Sequence, residues 1–398
     1  MKNKKKSTVF FRRLMGWLHL WLGLGSGLII CIVCLTGALY TFQKEVKDVL
    51  EPWRFVSPEE ADFVPPSQLL DTALVYMPGY QPTGLTYEGK TNAAAVGFHH
   101  KDHGKPNFTA VFMNPYTGKF ITKRSVLNAD GTTGFDFFGF VREGHQYLWL
   151  PREIGKYVVN IATLIFVISL LTGIVLWWPK KWKRVHLRAA FRIQWRAPWK
   201  KLNYDLHNVL GFYTLVFTFI LAFSGLIIGL NWVSNSVYFL ASAGEKPPLT
   251  FPQSIIPEKE RPLVNPHQAI DQVWRQVMAA EKGRDQGMYI SPDLREATAP
   301  IVIWVYHHAG SFYDRSTYYY DQYSLARIHT ARDNFQEAAL ADKLMMLNED
   351  VHTGVAFGWV GKIFTFVIGL IGASLPVTGA LFWWSTPKNR RKIRFRDF

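Results

Sequence analysis

Hydrophobic residues in this chain gather into four long runs, residues 14–40, 154–178, 206–232 and 357–384, separated by segments of mixed polarity. Each run is at least ~20 residues long, enough at about 1.5 Å per residue to cross a hydrocarbon core. The pattern therefore predicts four transmembrane helices. Between them lie two longer stretches with a different rhythm. Residues 67–76 and Pro266–Ala280 carry apolar positions at helical spacing, behind the entries Val64-Pro65-Pro66 and Asn265-Pro266. Strand-like runs follow at 93–99 and 108–112, and again at 301–307 and 317–320. Turns at Asn114-Pro115-Tyr116-Thr117-Gly118 and Asp321-Gln322-Tyr323-Ser324 lead into further strands at 119–123 and 327–330. The expected fold is a membrane protein: a four-transmembrane-helix bundle built from an internal repeat, with two small α+β extracytoplasmic domains.

Charge then orients the bundle. Residues 1–13 carry six Lys/Arg, residues 179–201 nine, and residues 388–398 six, accompanied in all by one acid, Asp397. Everything else holds 24 basic and 29 acidic residues, so the net charge of +15 is a topology signal. The positive-inside rule puts both termini and the middle loop in the cytoplasm, and nucleic acid is not an expected partner. The expected order is 1–44 cytoplasmic N-terminus and first span, 45–145 first outer domain, 146–178 second span and 179–205 basic loop. It continues with 206–232 third span, 233–350 second outer domain, 351–385 fourth span and 386–398 basic tail. The first apolar run is too long for a signal peptide and lacks a small-residue cleavage site. Its Cys31 and Cys34, the only cysteines, share a helical face deep in lipid and read as inert.

Histidine is repeated with the apolar pattern. His19 leads to Thr36-Gly37 and His207 to Ser224-Gly225, both 188 residues later. His145 precedes Gly155-Lys156, Thr172-Gly173 and Trp177-Trp178; His352 precedes Gly361-Lys362, Thr378-Gly379 and Trp383-Trp384, at offsets of 206 to 207. A single histidine at a helix end is an interfacial hydrogen-bonding group. Four at matched places read as a functional set, because polar groups at membrane depth are costly. Gly23 and Gly211 follow His19 and His207 by four residues on the same helical side, leaving room for a flat macrocycle. Pairing His19 with His207, and His145 with His352, gives two bis-histidine haem iron sites in a bundle core. The expected cofactors are two non-covalent haem b groups with these four axial ligands, since Cys31-x-x-Cys34 is followed by Leu35 and not histidine. Zinc fits less well, with two histidines per membrane face and no Cys or carboxylate companions. His145 and His352 stand well before their apolar runs, so the outer site needs helices that extend beyond the membrane or bend back over it.

The other histidines carry weaker signals. His99, His100 and His103, with His307 and His308, are surface-polar positions or else line a substrate or metal surface. Adjacent strand residues face opposite sides, so at most one of each His-His pair would face a given site. His186, His267 and His329 show no arrangement, and the Trp pairs belong to an aromatic belt.

The Leu-His openings of the first and third spans, the Gly-Lys approaches and Thr172-Gly-Ile-Val-Leu-Trp-Trp-Pro179 resemble the PepSY-associated transmembrane helix proteins. These are described as iron-regulated inner-membrane proteins and include periplasmic ferric-siderophore reductases. The resemblance spans essentially the whole chain; Leu381-Phe-Trp-Trp-Ser-Thr-Pro387 is a looser version of the motif. It implies PepSY-like periplasmic domains, a bacterial inner membrane and a haem-dependent ferric-chelate reductase, with a ferric siderophore as leading acceptor. No strand–G-x-G-x-x-G–helix unit is present, so the donor would be a quinol or a cytoplasmic reductase. No catalytic residue beyond the ligands emerges. The rival readings are a non-enzymatic sensor whose outer domains bind peptide or protein, and a metal-ion transporter; the spans' lack of carboxylates argues against the transporter.

Overall fold

The structure is a computed structural model and describes residues 2–386, apart from 103–104, 127–135, 180–182, 248–251, 258–264, 282–285, 293, 309 and 331. His103 and nearly all of the basic tail lie outside the described residues. In chain order the first part comprises α1 (Lys2–Tyr40), α2 (Gln43–Leu50), α3 (Pro66–Tyr76), β1 (Gly84–Tyr87), β2 (Ala94–Asp102), β3 (Lys105–Met113) and β4 (Phe120–Ser125). Then come α4 (Phe137–Tyr147), α5 (Arg152–Trp177), α6 (Arg184–Phe191), α7 (Trp199–Asp205), α8 (Gly211–Gly229) and α9 (Asn231–Ala241). The rest is α10 (Pro266–Ala280), β5 (Gly287–Ser291), β6 (Ile301–Tyr306), β7 (Arg315–Tyr320), β8 (Arg327–Ile328), α11 (Leu340–Thr353) and α12 (Gly358–Trp384).

The chain divides into two compact units, one of helices and one containing the sheet. In the first, four helical stretches are long and apolar enough to cross a membrane: Val9–Tyr40, Arg152–Trp177, Trp199–Gly229 and Val355–Trp384. The third joins α7 to α8 through a π-helical turn, Leu206–Leu210. α1 packs on α5 and α12, and α8 packs on the same two, closing a ring of four. Lipid tails offer helices no hydrophobic incentive to associate, so close approach through small side chains takes over. Between α1 and α12, a Cβ on Gly27 would lie 3.1 Å from Pro376 Cβ, one on Gly369 3.1 Å from Ala38 Cβ, and one on Gly372 3.2 Å from Cys34 Sγ. Cys34 thus fills a helix contact, and both cysteines are free thiols. Ile30, Ala162, Phe166 and Leu170 form the buried centre.

The second unit holds one antiparallel eight-stranded sheet in the order β4-β3-β2-β1-β5-β6-β7-β8. α3 and α10 cover one face, and Leu69, Leu70, Phe98, Ile270, Val273, Ile290 and Ile303 are buried in a common core. α3 begins with two prolines and has no side-chain cap of its own. Asp271 of α10 supplies it, accepting from Ser67 N at 2.9 Å and Ser67 Oγ at 2.6 Å. The two turns foreseen in the sequence share one mechanism. Asn114 Oδ1 accepts from Tyr116 N and Thr117 N, and Asp321 Oδ1 from Tyr323 N and Ser324 N.

Two expectations change. Residues 45–145 and 233–350 do not stand as two separate domains: the short strands β1 and β5, absent from the sequence reading, pair antiparallel and fuse both segments into one sheet. Each is only four or five residues long and starts at a glycine, so its alternation is too brief to stand out in the sequence. The helical unit also reclaims α4, because buried Phe138 and Val141 face the bundle, with Phe138 edge-on to Tyr40.

Candidate functional site

All four repeated histidines lie in the helical unit, and the Nδ1 of each is anchored on a backbone carbonyl of another helix. His19 Nδ1, on α1, donates to Ser169 O of α5 at 3.0 Å and contacts Thr172 Oγ1 at 3.2 Å. His207 Nδ1, in the π turn, meets Leu375 O of α12 at 3.0 Å and Thr378 Oγ1 at 3.1 Å. His352 Nδ1, on α11, meets Leu221 O of α8 at 3.0 Å and Ser224 Oγ at 2.9 Å. His145 Nδ1, on α4, meets Val33 O of α1 at 2.9 Å. Each acceptor carbonyl lies three residues before a Thr or Ser and four before a glycine. Those glycines, Gly173, Gly379, Gly225 and Gly37, let the imidazole lie against the facing helix. A Cβ on any of them would come within 2.9–3.2 Å of the histidine Cε1.

This arrangement settles the tautomer. A carbonyl oxygen only accepts, so Nδ1 carries the proton in all four rings and neutral imidazole leaves Nε2 as the lone-pair nitrogen. None of the four Nε2 atoms has a hydrogen-bond partner among the described residues. Anchoring one ring nitrogen to orient the other is how proteins present a metal-ligating histidine.

His145 and His352 reach the bundle by helices that bend back. After α4, Leu148 and Trp149 take left-handed φ values of 54° and 57°, and Pro151 starts α5. After α11, Gly354 (φ 81°) and Gly358 (φ 59°) make the equivalent reversal into α12. Gly155 and Gly361 are required by these hairpins: a Cβ on Gly155 would collide with the Tyr147 carbonyl, and one on Gly361 with the Gly354 carbonyl. The Gly-Lys approach in the sequence is therefore a hairpin-closing position.

The histidines come together in the expected pairs. Ring centroids of His19 and His207 are 6.1 Å apart at an interplanar angle of 72°; those of His145 and His352 are also 6.1 Å apart, at 49°. A metal–imidazole bond of about 2.0–2.1 Å, with roughly 1.1 Å more from nitrogen to ring centre, places two rings flanking one metal ion about 6.3 Å apart. Both spacings fit a shared metal. Among the described residues no three His, Cys, Asp or Glu side chains gather into a metal-holding set. Each pair brings two imidazole rings together with no third such side chain beside them among the described residues.

Residues 16–385 match the PepSY-associated TM region. The chain belongs to that family. Set against the curated proteins, this PepSY-associated TM protein finds no match.

In this family member the remaining sequence candidates fall elsewhere. A Cβ on Gly23 would meet open space, consistent with room beside His19, whereas one on Gly211 would make ordinary contact with Leu375 at 3.6 Å. His307 and His308 both reach Asp314, at 3.3 and 2.6 Å, because β6 ends at Tyr306 and strand alternation no longer separates them. His307 also lies 3.3 Å from the buried Glu281. His100 Nε2 pairs with Thr109 Oγ1 at 2.9 Å and exposed His99 packs on Phe108. His267 meets Asp71 at 2.9 Å and His329 meets Asp333 at 3.3 Å. The sequence reading missed the clamps. Their Thr-Gly and Ser-Gly dipeptides were visible as repeat markers, but which helix they face emerges only in three dimensions.

Proposed function

We propose that this protein is a dihaem b-type cytochrome that carries electrons across a bacterial inner membrane and reduces a ferric siderophore, or another ferric chelate, releasing Fe(II). The fourfold Nδ1 clamp carries the reading. Buried polar groups are normally hydrogen-bonded, whereas all four Nε2 atoms here lack a hydrogen-bond partner among the described residues, and each ring lies 6.1 Å, centre to centre, from a second imidazole. His19 and His207 would hold one haem, His145 and His352 the other, with the open space at Gly23 beside the first. Bound there, haem b supplies reversible one-electron carriage at two depths of the bundle. Ile30, Phe166 and Leu170 form an apolar, buried centre of the bundle that would lower the dielectric around such carriers.

The Lys/Arg excess of residues 1–13 and 179–201 supports a cytoplasmic setting for the His19–His207 end. A quinol or a soluble reductase gives up one electron there for each Fe(III) reduced on the periplasmic side. Fe(II) binds hard oxygen chelators less tightly, so reduction frees the metal. Matched clamps and hairpins at offsets of 188 and 206–207 support duplication of one half-unit, each half adding a PepSY-like helix-and-four-strand layer to the common sheet.

Protein purified in mild detergent from haem-replete cells is expected to show a sharp Soret band, with α and β bands after dithionite. A colourless protein refutes the reading. His207→Ala should remove half of the haem, and ferric chelates should re-oxidise the reduced protein.

A further inference from the structure

The four clamps differ in one respect. Thr172, Thr378 and Ser224 place a hydroxyl oxygen on the imidazole Nδ1 at 3.2, 3.1 and 2.9 Å. Each hydroxyl sends its own proton to its helix: Thr172 to Ser169 O at 2.8 Å, Thr378 to Ser374 O at 2.9 Å, and Ser224 to Leu221 O at 3.0 Å. The oxygen lone pair is therefore what faces Nδ1–H, as a second acceptor beside the carbonyl. Thr36 occupies the corresponding place for His145 but turns away. It donates to Ile32 O at 2.6 Å and Val33 O at 3.1 Å, and His145 keeps a single acceptor.

Acceptors on Nδ1–H draw that proton and make Nε2 a stronger donor to a metal. Stronger axial donation favours the oxidised metal and lowers its reduction potential. His19 and His207 are both doubly accepted; of His145 and His352 only the latter is. The geometry points to Thr172 and Thr378 as positioning residues that hold the His19–His207 site at a lower potential than the His145–His352 site, so that electrons run downhill from the first to the second. This ordering rests on the haem reading above and gives it a direction independent of charge. Both sites would otherwise be alike: same ligand type, same ring spacing, same carbonyl anchor.

The test is a potentiometric titration of the haem-loaded protein followed in the α band. The wild type should resolve two components. The near-isosteric T172V/T378V pair should raise the lower one by about threefold in the one-electron equilibrium, ~28 mV at 59 mV per tenfold, and leave the upper one in place. T172S/T378S, which keeps the hydroxyls, should restore the wild-type value. S224A should raise the upper component, and T36V should move neither. If the double valine variant sheds haem from its site, T378V alone carries the same expectation at about half the size. A lower component unmoved by loss of these hydroxyls, or a shift from T36V as large as that from S224A, overturns the ordering while leaving two bound haems intact. A protein that takes up no haem refutes instead the function on which the ordering rests.

Discussion

Gly37 sits where the backbone of α1 receives the ring of His145, and replacing it with alanine tests the clamp directly. The added Cβ would lie 2.9 Å from His145 Cε1 and 3.0 Å from Nδ1. Comfortable separations are about 3.5–4.0 Å, so the ring must retreat by about 0.5–1 Å. Retreat stretches the 2.9 Å bond from Nδ1 to Val33 O to roughly 3.5 Å or beyond, where it no longer counts as a hydrogen bond. Crowding costs about 1–3 kcal/mol and an unpaired buried N–H about 1–3 kcal/mol. Better helix propensity returns up to ~1 kcal/mol. Net destabilisation of ~2–4 kcal/mol is expected, since the two penalties overlap. Gly25→Ala is the control, because its Cβ meets nothing within 4 Å on the same helix. The assays are haem per protein by alkaline-pyridine spectrum and thermal unfolding in detergent. Gly37→Ala should lose the His145–His352 haem and melt well below Gly25→Ala. Full haem content with a melting temperature equal to the control would defeat the argument.

Gly155→Ala and Gly361→Ala each set a side chain against a backbone carbonyl that cannot swing aside; both should cut the yield of folded protein in detergent-resistant form, and normal yields would contradict the hairpin reading. Asp271→Ala removes the cap that α3 borrows from α10, a loss of about 1–2 kcal/mol that denaturant unfolding followed by Trp274 fluorescence should register. Burial pushes the Glu281 carboxyl up, but hydrogen bonds from Ser316 and Tyr318 and the nearby His307 outweigh it and hold the group below its ordinary range. Its folded pKa is depressed, so its stabilisation is complete above the usual glutamate range and is lost as pH falls through the folded value. The stability gap between wild type and Glu281→Gln should therefore narrow on acidification; a gap that widens would reverse the sign.

Much of the helical unit was legible because lipid imposes a length and a composition on whatever spans it. The four runs reappear as helices, and the matched histidines meet across the bundle. The reversals at Leu148 and Trp149 were not legible, since bulky residues seldom adopt left-handed φ and nothing in their type announces it. Gly23 and Gly211 drew notice because they share a helix face with His19 and His207. The glycines that touch imidazole are on the facing helices, and facing is a tertiary fact. β1 and β5 were invisible for a related reason: four or five residues carry too little pattern, and their partners are some two hundred residues away. Asp271 could not be found as a cap from sequence, being the nearest acceptor to Ser67 only in space.

The pairing of β1 with β5 also constrains how the protein is made. Until Gly287–Ser291 has emerged from the ribosome, the first four strands present β1 as a bare edge with unpaired backbone groups. By then three of the four membrane-spanning stretches have been synthesised. The early sheet must wait, half finished, through most of translation and insertion, exposed to any extended segment that could pair with it in place of β5. A chain truncated after the second span would keep that edge permanently. Biogenesis, more than steady-state stability, is where the junction should prove most sensitive, and a chaperone that shields strand edges is the helper such a chain would need.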